Sequence, residues 1–251
     1  MMKKIGVIGC GNMFRVLVEA AKSGKLRGEI VCAYDYQRER CEELGIPYMT
    51  VEKMLSTVDI VVEAASIQAV KEYGEIVLSA GKDFVVMSVG ALLDDDLRKN
   101  LMKISRRTRA RIIVPSGAIG GIDAIKALPE DAMIKIVTTK PSRTLGVDVK
   151  ERKVIFSGSA REAVEKFPKS MNVAALLSLA SGKIVDVEVI ADPNAKRNTH
   201  RIICEGSFGR MEITVENEPS PYNPRTSYLA CLSLIRVLND LCEENTIILG
   251  V

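Results

Sequence analysis

The sequence predicts an α/β protein: a doubly wound parallel sheet followed by an α+β domain on a mixed sheet. Three observations carry this. Short apolar runs alternate with helical stretches over the first 115 residues, the rhythm of a parallel sheet with helices on both faces. A glycine pair, Gly9 and Gly11, ends the first run and opens the first helix. The second half changes rhythm and brings three strand-like runs in close succession.

Taken in order, Lys3 to Ile8 is an apolar strand. A helix follows, with Met13, Val16, Leu17, Ala20 and Ala21 on one face. Glu29 to Tyr34, Asp59 to Ala64, Asp83 to Ser88 and Arg111 to Pro115 are further short buried strands. Helices are expected between them at Gln68 to Ser79 and Asp94 to Thr108. Beyond Pro115 a short helix, Gly121 to Leu128, precedes a strand at Ala132 to Thr139. Glu162 to Phe167 and Val173 to Ala180 read as helices. Lys183 to Ala191, Thr199 to Glu205 and Arg210 to Glu216 read as strands, whose short links suit antiparallel neighbours. Pro219, Pro221 and Pro224 punctuate a loop before a long apolar-striped helix, Ser227 to Cys242. The expected boundaries are 1–115 for the first domain and 116–225 for the second. A C-terminal helical segment, 226–251, is expected to pack back on the first.

Composition excludes several classes. With 251 residues, 47% hydrophobic and 27% charged, the chain is globular rather than disordered. Lys plus Arg number 35 against 32 acidic residues, a net charge of only +3, which argues against a nucleic-acid partner. The longest uncharged stretch, Ser170 to Gly182, is too short and polar for a bilayer, so no membrane partner is expected. Met1-Met2-Lys3-Lys4 leads straight into the glycine loop rather than a longer apolar stretch with a cleavage site, which points to the cytoplasm. The six cysteines form no C-x-x-C pair and sit in apolar runs, as small buried hydrophobes do in a reducing compartment. A single His excludes a His-rich metal site, and no metal is expected.

The glycine pair has the context of a Rossmann dinucleotide site. Gly9 makes the tight turn, and Gly11 lets backbone N–H groups approach a pyrophosphate at the helix N-terminus. Asn12 and Met13 continue that turn and belong to the same candidate cofactor set. Asp35 ends the second strand, where a carboxylate accepts the adenosine ribose hydroxyls. Asp35 repels a 2′-phosphate and favours NAD, whereas Arg38 three residues on attracts one, so NADP stays an alternative. The third glycine position holds Phe14. A side chain there predicts a displaced helix or a ring projecting elsewhere.

Three later loops fall at carboxyl ends of parallel strands, where open α/β sheets bind ligands. They are Glu63-Ala64-Ala65-Ser66, Ser88-Val89-Gly90-Ala91 and Ser116-Gly117-Ala118-Ile119-Gly120-Gly121. Ala64, Ala65, Ser66, Ser88, Gly90 and Ala118 are candidate cofactor contacts, because small residues let a flat ligand approach the backbone. Ser116, Gly117 and Gly120 precede a helix and are candidate holders of a substrate carboxylate. Lys140 and Arg143 either add charge there or are solvated surface residues. The lone His200 lies where a polar loop enters a strand, with Asn198 and Asp192 near enough in sequence to orient it. It suits proton transfer near neutrality. A structural histidine is the alternative on the residues alone.

These residues resemble the L-aspartate dehydrogenase family over nearly the whole chain. The likeness is carried by Glu63-Ala64-Ala65-Ser66, the loop Ser116 to Gly121, Lys166-Phe167-Pro168-Lys169-Ser170-Met171-Asn172-Val173-Ala174-Ala175, Asn198-Thr199-His200, and Asn223-Pro224-Arg225-Thr226-Ser227-Tyr228. The resemblance implies NAD(P)-dependent oxidation of L-aspartate to iminoaspartate for pyridine nucleotide biosynthesis, by a homodimer with a Rossmann domain and a mixed-sheet catalytic domain. It implies that His200 is the catalytic acid/base and that Ala118 and Asn172 contact the cofactor, Asn172 near the nicotinamide. Asn198 joins His200 in the candidate substrate set. Phe14 departs from the family, which usually has Gly there. Two alternatives stand beside this reading: a related dehydrogenase or reductase for another small dicarboxylate, and a non-catalytic NAD(H)-sensing module.

Overall fold

A computed structural model of the chain describes residues 2–168 and 170–243. Lys169 of the Lys166 to Ala175 run and residues 244–251 of the C-terminal segment lie outside the described residues. The chain divides into two compact units. Residues up to Pro115, with the helix from Cys231 on, form the first, and residues 116–230 form the second.

In the first unit β1 (Lys4–Ile8), β2 (Glu29–Tyr34), β3 (Ile60–Glu63), β4 (Asp83–Val86) and β5 (Ile112–Ile113) make one sheet in the order β2-β1-β3-β4-β5. All the pairings are parallel. Every residue of β3 is buried, as expected for a strand covered on both faces. The winding reverses between β1 and β3, so their carboxyl ends open the crevice where such sheets take ligands. Helix α1 (Asn12–Lys22) turns Phe14, Leu17, Val18 and Ala20 into a core with Ile5, Val7, Val62 and Val85. Two short helices, α2 (Glu39–Glu42) and α3 (Val51–Met54), follow β2. Helix α4 (Ile67–Ser79) starts where the Ser66 hydroxyl accepts from Ala69 N–H. A 3₁₀ turn, Val89–Leu93, precedes α5 (Asp95–Thr108), capped by Asp94.

The second unit opens with α6 (Ile122–Lys126), shorter than the sequence suggested. Its mixed sheet has the order β10-β9-β6-β8-β7, from β6 (Met133–Pro141), β7 (Lys153–Ser159), β8 (Asp186–Asp192), β9 (Asn198–Gly206) and β10 (Gly209–Asn217). The expectation of three successive antiparallel neighbours holds for β9 and β10 only. Strand β6 lies between β8 and β9, parallel to the first and antiparallel to the second. The reason is its alternation. Ile134, Ile136, Thr138 and Lys140 are buried, and a strand with so buried a face takes a central place. Strand β7, not foreseen, pairs on the outer edge with β8. After a four-residue helix, α7 (Ser142–Leu145), the chain makes α8 (Ala160–Lys166) and α9 (Asn172–Ser181). Helix α8 starts two residues before the expected Glu162, because Ser159 and Glu162 form a capping box. The proline loop contains a small antiparallel ribbon, β11 (Pro219–Ser220) with β12 (Asn223–Ser227), before α10 (Tyr228–Cys242). Among the described residues no helix is long and apolar enough to cross a membrane.

Candidate active site

The first unit brings its ten cofactor candidates to the carboxyl ends of β1 to β4. Gly9 has φ +100°, and a Cβ there would lie 2.7 Å from Ala65 Cβ and 2.8 Å from the Ala64 carbonyl, so only glycine fits. A Cβ on Gly11 would meet nothing within 4 Å, which leaves open space beside the N-terminus of α1. The Asp35 carboxylate accepts from Cys10 N–H at 2.8 Å and Gln37 N–H at 3.0 Å, which fixes it against the glycine loop. Asn12 and Met13 occupy the first turn of α1, half-buried. This set fits a dinucleotide: a glycine cradle, a helix N-terminus for the pyrophosphate and a carboxylate for the ribose.

Phe14 does not damage the loop. It is fully buried in the core with Val7, Leu17, Leu234 and Leu238, the last two from α10. The ring projects inward, and the expected penalty at the third glycine position is absorbed by a core that includes the C-terminal helix. The one observation that favoured a non-catalytic sensing module is thereby removed.

Glu63 ties two of the predicted loops together, a role the sequence did not reveal. Fully buried at the end of β3, it accepts from Ala65 N–H and Ser66 N–H at 2.8 Å, Ser88 N–H at 2.9 Å and the Ser88 hydroxyl at 2.8 Å. Burial pushes its carboxyl above the usual range, and these four donors oppose that shift. Ala65, Ser66 and Ser88 are therefore held in one arrangement by a single side chain; Ala64 N–H donates instead to the Ile8 carbonyl, and Gly90 lies in the 3₁₀ turn that follows. Glu63→Gln sets an amide N–H against at least one of the donors. It is expected to cost about 1–3 kcal/mol, lowering the melting point by about 2–12 °C, and to weaken NADH binding. Thermal melts and NADH fluorescence titration check this; an unchanged melting point would show that the network does not matter.

The second unit assembles a different set. Residues in period two on β6 and β9 share a face, so Thr138, Lys140, Asn198 and His200 lie together. The ring Nδ1 of His200 is 3.0 Å from the Thr138 hydroxyl, and both residues are buried. Thr138, from the neighbouring strand, orients the ring. Asp192, expected to help, instead accepts from Asn194 N–H at 2.8 Å in its own turn. Burial first, and the Lys140 charge second, lower the pKa of His200 to about 3, so the imidazole is neutral at working pH.

Lys140, 6% exposed, is not a solvated surface residue, whereas Arg143 is exposed on α7. Among the described residues no carboxylate or other hydrogen-bond partner meets the Lys140 ammonium. Burial lowers its pKa to about 8. The side-chain oxygens of Asn198 and Asn217, opposite each other on β9 and β10, are also buried without partners among the described residues. Asn217 donates to the Ala118 carbonyl at 3.1 Å and so anchors the Ser116 to Gly121 loop to this sheet. Within that loop Ala118 is buried while Ser116, Gly117 and Gly120 are half-buried. Gly121 has φ +74° and faces Ile213, and it starts a helix of only five residues, too short for a strong dipole. Asn172 is the first residue of α9 and is half-buried. On this one face a buried cation suits an anionic group, a neutral imidazole suits proton exchange, and unpaired amide oxygens suit a hydrogen-bond donor such as an amine.

A family model described as "Homoserine dehydrogenase, NAD binding domain" matches residues 5–115, and one described as "Aspartate dehydrogenase, C-terminal" matches residues 123–241. The L-aspartate dehydrogenase of Methanothermobacter thermautotrophicus is 43% identical, with 96% of each chain covered. That of Archaeoglobus fulgidus is 43% identical over 95% of this chain and 98% of the relative. The crystal structure of aspartate dehydrogenase from Thermotoga maritima superposes with a TM-score of 0.85 at 32% identity, covering all of both chains. The chain belongs to the L-aspartate dehydrogenase family.

Proposed function

We propose that this protein oxidises L-aspartate at Cα to iminoaspartate, which water converts to oxaloacetate and ammonia, and that it supplies pyridine nucleotide biosynthesis. The observation that carries the substrate class is Lys140: a buried cation near His200 with no partner among the described residues, in the unit that matches aspartate dehydrogenases. A nicotinamide dinucleotide, when bound, supplies the hydride acceptor. Gly9, Gly11, Asn12 and Met13 would hold its pyrophosphate, Asp35 its ribose, and Ala118 and Asn172 its nicotinamide end.

The protein's own residues do the rest. Lys140 attracts a substrate carboxylate, with Ser116, Gly117 and Gly120 as further holders. Asn198 accepts from the amino group. Neutral His200, fixed through Nδ1 by Thr138, offers its other nitrogen to take a proton from the water that attacks the imine. We take NAD as the preferred cofactor. Arg38, the residue that would draw a 2′-phosphate, is held by Glu42 at 2.7 Å and stacked over Tyr48. The protein is expected in the cytoplasm, as a homodimer with a light-scattering mass about twice 27.5 kDa.

A spectrophotometric assay tests the reading. NADH is expected to form with L-aspartate and to be consumed with oxaloacetate plus ammonia, with higher kcat/KM for NAD than for NADP. Turnover confined to another dicarboxylate, or tight NADH binding without turnover, would overturn it.

A further inference from the structure

Two buried thiols stand beside the glycine loop and take no part in the chemistry above. Cys10 lies between Gly9 and Gly11, and Cys41 lies on α2, just beyond β2. Their sulfurs are 2.7 Å apart and both residues are buried. That is well inside the non-bonded contact of two sulfur atoms and near the ~2.05 Å of a covalent S–S bond. The same distance speaks against a shared metal, since two thiolates on one tetrahedral zinc, with bonds of about 2.3 Å, lie roughly 3.8 Å apart. Among the described residues no three metal-binding side chains cluster here or elsewhere.

We propose that Cys10 and Cys41 are an oxidisable pair that closes to a disulfide and pins the glycine loop to α2. The reaction balances as thiol–disulfide exchange with a low-molecular-weight disulfide. One cysteine attacks it and releases one small thiol; the second cysteine displaces the other. One S–S bond breaks, one forms, and two small thiols carry away the protons. Closure needs only a short approach of the sulfurs. The Cys10 backbone, whose N–H is bound to Asp35 at 2.8 Å, keeps its place. The bond holds the dinucleotide loop rather than distorting it.

The surroundings suit a holding crosslink rather than a fast sensor. Burial pushes both thiols up, and the Asp35 charge adds to this at each; Arg40 opposes it at Cys10. The net effect at both sulfurs disfavours the thiolate, so the closed bond resists reduction. The linked residues are 31 apart in sequence, and tying such a loop restricts the unfolded chain.

The test uses the full chain treated with oxidised glutathione, then denatured in an alkylating agent and digested with trypsin without reduction. Free thiols are expected to fall from the reduced chain's six to four. The peptide 5–15 should appear joined to the peptide 41–53. The oxidised chain should melt about 5 °C or more above the reduced one. Cys41→Ser, with Cys41→Ala as a second variant if the hydroxyl is not tolerated, should lose both the link and the gain in melting point. Its turnover of L-aspartate should stay within about twofold of the wild type. Six thiols still alkylated, a link between other cysteines, or a 10–41 link without a higher melting point would each overturn the proposal. Thiol counting needs no substrate, so its outcome is independent of the enzymatic reading.

Discussion

His200→Ala is expected to lower kcat for L-aspartate oxidation by about 10²–10⁴-fold, the usual worth of a positioned acid/base, while the Kd for NADH stays within about twofold. The chain has one imidazole, so no second one takes over the proton transfer. Its ring is held by Thr138 at 3.0 Å on a sheet face, which makes its position part of the fold rather than of a mobile loop. Thr138→Val should therefore reproduce part of the loss in kcat without touching His200 itself. A pH signature accompanies the kinetic one. The folded pKa is depressed to about 3, whereas the unfolded chain titrates near 6.5. Between these values the unfolded state binds the extra proton. The contribution to stability is full above about pH 6.5 and is lost as the pH falls toward 3. Relative to His200→Ala, the wild type should lose about 2 kcal/mol between pH 7 and pH 5. Denaturant melts of the two proteins at several pH values check this. Near-normal kcat in the variant would sink the catalytic role, and parallel stability curves would show that the ring is not buried neutral.

The legible parts of this protein are those with local causes. Strand β2 falls at Glu29–Tyr34 as read, because an apolar run between polar ends needs no partner to be recognised. Gly9 and Asp35 were readable because turn and strand end lie at fixed offsets in one βαβ unit. Long-range causes were not readable. Strand β7 sits on an edge with mostly half-exposed residues, so it lacks a buried period. The place of β6 between β8 and β9 depends on partners far along the chain. Phe14 looked like a defect because its core partners Leu234 and Leu238 lie at the other end of the sequence. Glu63 belonged to a recognised motif, yet its four donors come from two loops that only the fold brings together. Thr138 is 62 residues from His200 and meets it only through the register of β6 on β9.

Lys140 shows how such a register carries function. Lys140→Met should raise the KM for L-aspartate by about 10–100-fold, the loss of one charge-assisted bond of about 1.5–3 kcal/mol. kcat should fall less, and NADH affinity should not change. Preference for L-aspartate over L-asparagine should shrink, because the cation that rewards a second carboxylate is gone. Stability should move the other way. A buried lysine whose ammonium meets no partner among the described residues is unfavourable in the fold, and Met keeps the aliphatic bulk while removing the charge, so the variant should melt at or above the wild-type temperature. Such a trade marks a residue kept for binding rather than for the fold. The pH dependence follows from the depressed pKa of about 8. Below it the side chain is a cation and attracts the substrate; above it the neutral amine does not. Wild-type kcat/KM for L-aspartate should therefore fall as the pH rises through about 8, the titration of the free enzyme. That limb should be absent in Lys140→Met. Between pH 8 and 10 the unfolded chain holds a proton that the folded one has released, so the wild type should gain stability relative to the variant. A Lys140→Met enzyme with unchanged KM, or one that unfolds more readily than the wild type at pH 7, would assign this lysine to structure instead.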